Sequence, residues 1–403
     1  MRLKVIAFFA GLAIVSAGGA IAGDKNYDVG ATDTEIKIGQ TMPYSGPASG
    51  YGVNGKVELA YWRMINSKGG INGRKVTLLS LDDGYSPPKT LEQTRRLVEQ
   101  DEVLAIIGSL GTPTNSAIQK YLSGKKVPHL FITSGASKWN DPKNFPRATP
   151  FYPPYEQEAR IYGKYIAEQM PTAKVAVIYQ NDDFGKDYLK GFKDGLGSKV
   201  SLIVKEASYE VNEPTIDSQI VNLRAAGADT LLTVATPKFA AQSIRKAYEL
   251  GWKPVHFMVS VGSSVGGVLE PAGLEASTGL ITALTAKVVG DSAWDNDQGV
   301  KDYLAFMKEW YPDGNPIDGS VQIGYGVAQI TEVLLRACGD DLTRENLVRQ
   351  ATRLTNVSLP LFLPGITIST TPNDYSAYGA FRMAKFDGKT WKFFGETIDT
   401  KLK

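Results

Sequence analysis

The chain has 403 residues, 43% of them hydrophobic and 21% charged, with 41 Gly and 21 Pro. This is the composition of a globular protein of roughly two to three domains, and it excludes disorder, collagen and coiled coil. Lys and Arg number 44 against 42 Asp and Glu, so no cationic excess points to nucleic acid as a partner. Two histidines (His129, His256) and one cysteine (Cys338) leave no basis for a His/Cys metal site or an intrachain disulfide.

Arg2 and Lys4 precede an uncharged run over 5–22 that closes on Ala20-Ile21-Ala22. This is the pattern of a secretory signal peptide cleaved after Ala22. An uncleaved anchor needs ~20 strongly apolar residues, and this run is interrupted by Gly11, Gly18 and Gly19. Residues 1–22 are therefore expected to be a leader, and the mature chain an exported protein.

From residue 35 onward, β-rich runs alternate with amphipathic ones. Strands are predicted over 36–42, 76–82, 103–109 and 129–134, and a second group over 175–180, 202–207, 230–235 and 256–261. Helices are predicted between them over 57–65, 90–99, 157–169, 216–226 and 239–250. In the last, Phe239, Ala240, Ile244, Ala247 and Tyr248 share one face. Strands separated by helices of this length imply βαβ units and parallel sheets covered on both faces. Two such blocks predict two similar α/β lobes. Between them, 140–154 carries Pro142, Pro146, Pro150, Pro153 and Pro154, as a crossing segment would. Past a β-rich run over 280–286 the pattern turns helical, over 299–310, 321–337 and 344–354. A Pro-punctuated stretch over 359–365 leads to β-rich runs over 366–369, 380–386 and 391–394, with Asp387-Gly388 as a hairpin turn.

In open α/β sheets, ligands bind beyond the carboxyl ends of the strands. The strand over 103–109 runs into Leu110-Gly111-Thr112-Pro113, where Thr112 suits an N-cap and Pro113 the first helical position. A helix start carrying hydroxyls can cradle a carboxylate, although taken alone an ordinary capped turn explains it. The strand over 129–134 ends in Ser134-Gly135-Ala136-Ser137, and the two ends together suggest one cleft wall. Tyr44, Tyr51 and Tyr152 fall in loops that would face it.

Other signals point away from catalysis. The run Gly50 to Lys56 approximates a P-loop, but Val57 stands where a Mg²⁺-binding Ser or Thr is required. The pairs Asp82-Asp83, Asp182-Asp183 and Asp340-Asp341 suit caps and turns. No G-x-S-x-G elbow occurs, and no nucleophile–base pair stands out. No catalytic residue, cofactor or metal is predicted.

A family resemblance rests on several stretches. Residues 36–47 (IKIGQTMPYSGP) followed by Tyr51-Gly52, residues 66–73 (NSKGGING), Leu81-Asp82-Asp83, residues 179–186 (YQNDDFGK), residues 217–220 (DSQI) and residues 225–229 (AAGAD) follow in order. The chain resembles the periplasmic branched-chain amino-acid-binding proteins of ABC transporters. The resemblance implies the type I periplasmic-binding-protein fold, with a ligand closed between two lobes and a three-segment hinge. It places lobe one at 27–149 plus 281–362 and lobe two at 150–280 plus 367–403. It implies a carboxylate site at Tyr51, Thr112, Gly135 and Ser137, with Phe184, Thr236 or Pro237, and Val261 facing it from lobe two.

The sequence departs from the family where an acid receives the ligand's ammonium, because residues 257–264 (FMVSVGSS) contain none. A desolvated ammonium without a counter-charge is costly. The expected ligand is therefore a carboxylate without an α-ammonium, an aromatic or short organic acid. An amino acid remains the runner-up, should Asp182 or Asp183 supply the missing charge. The expected role is a monomeric solute-binding protein in the periplasm that delivers its ligand to an inner-membrane ABC permease. A periplasmic ligand sensor of the same fold is the competing role.

Overall fold

The computed structural model describes residues 25–400; the expected leader over 1–22 lies outside them. The chain opens with β1 (Asn26–Tyr27), β2 (Glu35–Met42), α1 (Val53–Ser67), β3 (Lys75–Asp82) and α2 (Pro87–Glu99). It continues through β4 (Ala105–Ile107), α3 (Thr112–Gly124), β5 (His129–Ile132) and β6 (Ala148–Pro150). After a crossing come α4 (Tyr155–Gln169), β7 (Val175–Gln180), α5 (Asp183–Leu196), β8 (Ile203–Tyr209) and α6 (Asp217–Ala225). Next are β9 (Thr230–Val234), α7 (Pro237–Glu249), β10 (Val255–Met258), the short α8 (Glu270–Ala272) and α9 (Leu274–Ser277), and β11 (Ile281–Leu284). The chain then returns to the first lobe for α10 (Gln298–Trp310), α11 (Gly319–Cys338), β12 (Asp341–Leu342) and α12 (Arg344–Ala351). It ends in the second lobe with β13 (Ala380–Phe386), β14 (Trp391–Phe393) and β15 (Ile398–Asp399).

One sheet has the order β3-β2-β4-β5-β6, parallel throughout. The other runs β14-β13-β11-β10-β9-β7-β8, parallel from β8 to β11 and antiparallel at β13 and β14. The chain order reverses direction between β2 and β4 in the first sheet and between β7 and β9 in the second. A crevice opens beyond the strand ends at such switch points.

Local chemistry accounts for most element ends. The strand expected over 103–109 stops at Ile107, because Gly108 turns to a positive φ of 74° and breaks the extended run. The strand expected over 256–261 stops at Met258, where a short 3-10 turn begins and the Ser260 N–H turns to the Glu158 carboxylate at 2.7 Å. The run over 366–369 forms only one isolated bridge, Val357 to Ile368. Helix α5 was not expected; Asp182 caps it by accepting from the Gly185 N–H, as an Asp at an N-cap does.

The lobe boundaries lie later than the resemblance implies. Ile281–Leu284 pairs with both β10 and β13, so it belongs to the second sheet and not to the first lobe. Ile366, Ile368, Ala377 and Tyr378 pack into the core of the first lobe rather than the second. The chain thus crosses between lobes three times, near 151–154, 285–289 and 378–380. Among the described residues no helix is long and apolar enough to cross a membrane.

Candidate functional site

Both switch points face one cavity between the lobes. From the first lobe come Tyr51, in the turn before α1, and Leu110 and Thr112, beyond the end of β4. From the second come Phe184, in the first turn of α5, Thr236, the N-cap of α7, and Val261, beyond β10. Tyr152 and residues of all three crossings close the hinge side. The lobes meet over this space. The Tyr51 hydroxyl donates to the Val261 carbonyl at 3.1 Å, Lys138 pairs with Asp183 at 3.1 Å, and the Ser137 N–H donates to Asp187 at 2.6 Å.

Helix α3 begins one residue earlier than expected. Gly111 is its N-cap, at φ 106°, and Thr112 is already helical. A Cβ on Gly111 would stand 2.5 Å from the Tyr85 ring, so the position requires glycine for both φ and space. Thr112 still reaches the cavity, and its hydroxyl shares a 2.7 Å hydrogen bond with the Ser134 hydroxyl. Ser134 lies behind it, where it also accepts from the Trp139 indole N–H at 2.8 Å.

The strand end at 135–137 is not brought to this cavity. Gly135, Ala136 and Ser137 line a separate pocket with Glu156 and Arg160. The cause is Tyr155: its N–H donates to the Gly135 carbonyl at 2.9 Å, and its ring lies 2.7 Å from where a Gly135 Cβ would be. The side chain covers the strand end and itself lines the cavity. Tyr155 stacks on Tyr188 at 4.8 Å and meets Phe184 edge-on at 5.2 Å. The sequence reading missed it; its position directly after Pro153-Pro154 is the signal that could have found it, since a Pro pair before a helix fixes which residue opens the first turn.

The electrostatics of the lining are one-sided. Among the described residues it contains no Asp or Glu, and its one charged side chain, Lys287, is held by Asp297 at 2.7 Å and the Pro360 carbonyl at 2.8 Å. Two long helices, α3 and α7, start at the wall with a threonine hydroxyl each. Helix N-termini favour an anion. The Thr236 hydroxyl is buried and has no hydrogen-bond partner. Neither candidate acid is free to join them: Asp182 caps α5 and accepts from Gln180, and Asp183 pairs with Lys138.

Behind Ser260, which also lines the cavity, the fully buried Glu158 accepts from the Tyr162 and Tyr188 hydroxyls and from the Ser260 N–H and hydroxyl. Burial raises its pKa, while the hydrogen bonds from Ser260, Tyr162 and Tyr188 oppose the shift. The network fixes the loop that carries Val261. The free volume of the cavity between the lobes, about 160 Å³, is comparable to an apolar cavity that accepts one benzene ring.

The chain matches the sequence family described as periplasmic binding protein over residues 35–390. It belongs to that family. Leu/Ile/Val-binding protein homolog 7 of Brucella abortus (strain 2308) is 28% identical over 332 residues, covering 76% of this chain and 78% of the relative. The fatty acid ABC transporter substrate-binding protein from Thermomonospora curvata has a similar structure, with a TM-score of 0.79 at 22% identity over 94% of this chain and 96% of that one. A solute-binding protein of an ABC transporter from R. palustris, in complex with benzoate, gives a TM-score of 0.76 at 18% identity over 91% of this chain and 98% of that one. These structures share the fold: two lobes with parallel-type sheets and a cleft between them.

Proposed function

We propose that this protein is a non-catalytic, exported solute-binding protein of an ABC importer, and that its ligand is a small carboxylate lacking an α-ammonium. The observation that carries this reading is the absence of any Asp or Glu from the described lining, beside two helix N-termini with threonine hydroxyls. An ammonium sealed in such a cavity lacks a counter-charge, whereas a carboxylate meets N–H groups and Thr112 or Thr236. The apolar remainder and the free volume suit a single ring or a short chain. Relatives named for fatty acid and for benzoate are compatible with this choice.

Closure of the lobes on the ligand would create the surface that an inner-membrane permease recognises, a hinge motion biased by contacts made in the closed form. The second reading, an amino acid, is favoured by the name of the Brucella relative, and it requires Asp182 to leave the α5 cap and Gln180. The test is thermal denaturation of ligand-stripped protein against benzoate, short aliphatic acids and leucine. A ligand at 100 times its Kd adds about 2.7 kcal/mol of stability. Stabilisation by the amine-free acids is expected. Stabilisation by leucine and not by them would sink the proposal.

A further inference from the structure

The residue that keeps the strand end at 135–137 out of the cavity also stands in its place. Tyr155 opens α4 directly after the crossing at 151–154. Its ring runs along Gly135, where a Cβ would stand 2.7 Å from Cδ1 and 2.9 Å from Cε1, and it lines the cavity together with Thr112 of the first lobe. Tyr188 stacks on the ring at 4.8 Å and Phe184 meets it edge-on at 5.2 Å. The Tyr188 hydroxyl is fixed in turn, donating to Glu158 at 2.7 Å. A ring packed in this way is held to one orientation.

The hydroxyls beside it form a chain with a set direction. Ser134 Oγ accepts from the Trp139 indole N–H at 2.8 Å and from the Ala136 N–H at 3.3 Å, which uses both lone pairs of a hydroxyl. Its own proton is left for Thr112 Oγ1, 2.7 Å away, and the Thr112 proton is then left for a group in the cavity. The Tyr155 hydroxyl stands close to this pair. Burial pushes its pKa up to about 12, while the Gly135 backbone and the Ser134 and Thr112 hydroxyls hold it down, as groups that donate toward an oxygen do. Unlike Thr236 Oγ1, it is not among the polar atoms of the described residues that are sealed without a partner. With donors facing its oxygen, its proton is also left for the cavity.

We propose that Tyr155 is a specificity-determining residue of the binding site, and that its hydroxyl and that of Thr112, one from each lobe, both donate to the ligand's carboxylate. This rests on the carboxylate reading above and deepens it by naming the donor that the second lobe supplies in place of Gly135 and Ser137. Two donors distinguish an acid from its amide, because a bond to a charged acceptor is worth more than one to a neutral acceptor. A carboxylate held from both lobes also ties recognition of the head to closure.

The test is calorimetric titration of ligand-stripped protein with two matched pairs, benzoate with benzamide and hexanoate with hexanamide. Wild type is compared with Tyr155→Phe, which keeps the ring over Gly135 and removes only the hydroxyl. The variant should bind the acids about ten- to a hundredfold more weakly and the amides less than about tenfold more weakly, so the acid-to-amide ratio narrows. A ring that only packs would leave that ratio as it is, and an unchanged ratio overturns the assignment of Tyr155 alone. Should Tyr155→Phe not fold, Tyr155→Leu is judged by the same ratio. If neither acid binds the wild type, the carboxylate reading falls and the role of Tyr155 with it.

Discussion

Thr112 shares its hydroxyl with Ser134 on the cavity wall, so it is the residue through which a carboxylate head is most directly tested. Thr112→Val keeps the shape and removes the hydroxyl. It should weaken a carboxylate ligand by about 1–3 kcal/mol, read as a change in Kd by calorimetry. The two histidines allow a separate test, of pH. His129 and His256 are buried, bound through Nε2 to Asn115 at 2.7 Å and to Thr233 at 2.8 Å, and burial lowers both to about 3. The unfolded chain takes up these protons below about pH 6.5, while the folded one stays neutral. The stabilisation is therefore complete above that pH and is lost as pH falls toward 3. At pH 5 the loss amounts to about 2 kcal/mol per histidine. Buried Glu58 and Glu158 shift upward, which works in the opposite direction, so the comparison that isolates the effect is wild type against His256→Gln. The variant should lose less stability between pH 6.5 and 5 in denaturant titrations. Tyr51 and Thr112 could be placed at the cleft from local sequence, since both follow strand ends of the first lobe, whereas Phe184 came from the family resemblance. Ser137 was placed there too, but the structure binds it instead to Asp187, 50 residues away.

At the scale of elements, α11 matters most, since it both packs the first lobe and lines the cavity. Gly324 faces α1 so closely that a Cβ would stand 2.5 Å from the Asn54 carbonyl and 2.6 Å from Val57 Cγ1. Gly324→Val should cost about 1–3 kcal/mol of stability by overpacking, visible as a lower denaturation midpoint. Because Asn54 is on the cavity wall, the same change should weaken ligand binding. The periodic apolar pattern over 321–337 announced this helix, and Gly319–Cys338 forms as a continuous element. The pattern did not reveal that one of its faces borders a cavity, since Gly326 and Gln329 carry no signal of their own. Helix α5 went unread because Asp182-Asp183 looked like a turn, and an Asp that caps a helix is locally indistinguishable from one that closes a turn.

For the whole molecule, the contacts that bridge the lobes are expected to bias the proposed closure on ligand. Lys138–Asp183 and Ser137–Asp187 lie outside the cavity, at partly exposed positions. Asp187→Ala combined with Lys138→Ala should weaken any ligand that binds the closed form, by about 0.5–2 kcal/mol, with faster release as the main cause. Rising ionic strength should mimic the Lys138 part of that loss. Stopped-flow release rates at two salt concentrations check both. A release rate that does not change would show that these bridges leave the closure equilibrium unbiased.

The alternation of β-rich and amphipathic runs determined two parallel α/β lobes, because hydrophobic periodicity is a local property that each segment carries within itself. The acid missing from 257–264 was likewise legible, as a plain absence of charge. Tertiary structure alone decided which lobe holds 281–284, since strand membership depends on pairing with β10 and β13 across distant sequence. It also decided that Tyr155 covers Gly135 and that one face of α11 walls the cavity. Those facts arise where residues far apart in the chain meet, and no single stretch of sequence encodes the meeting.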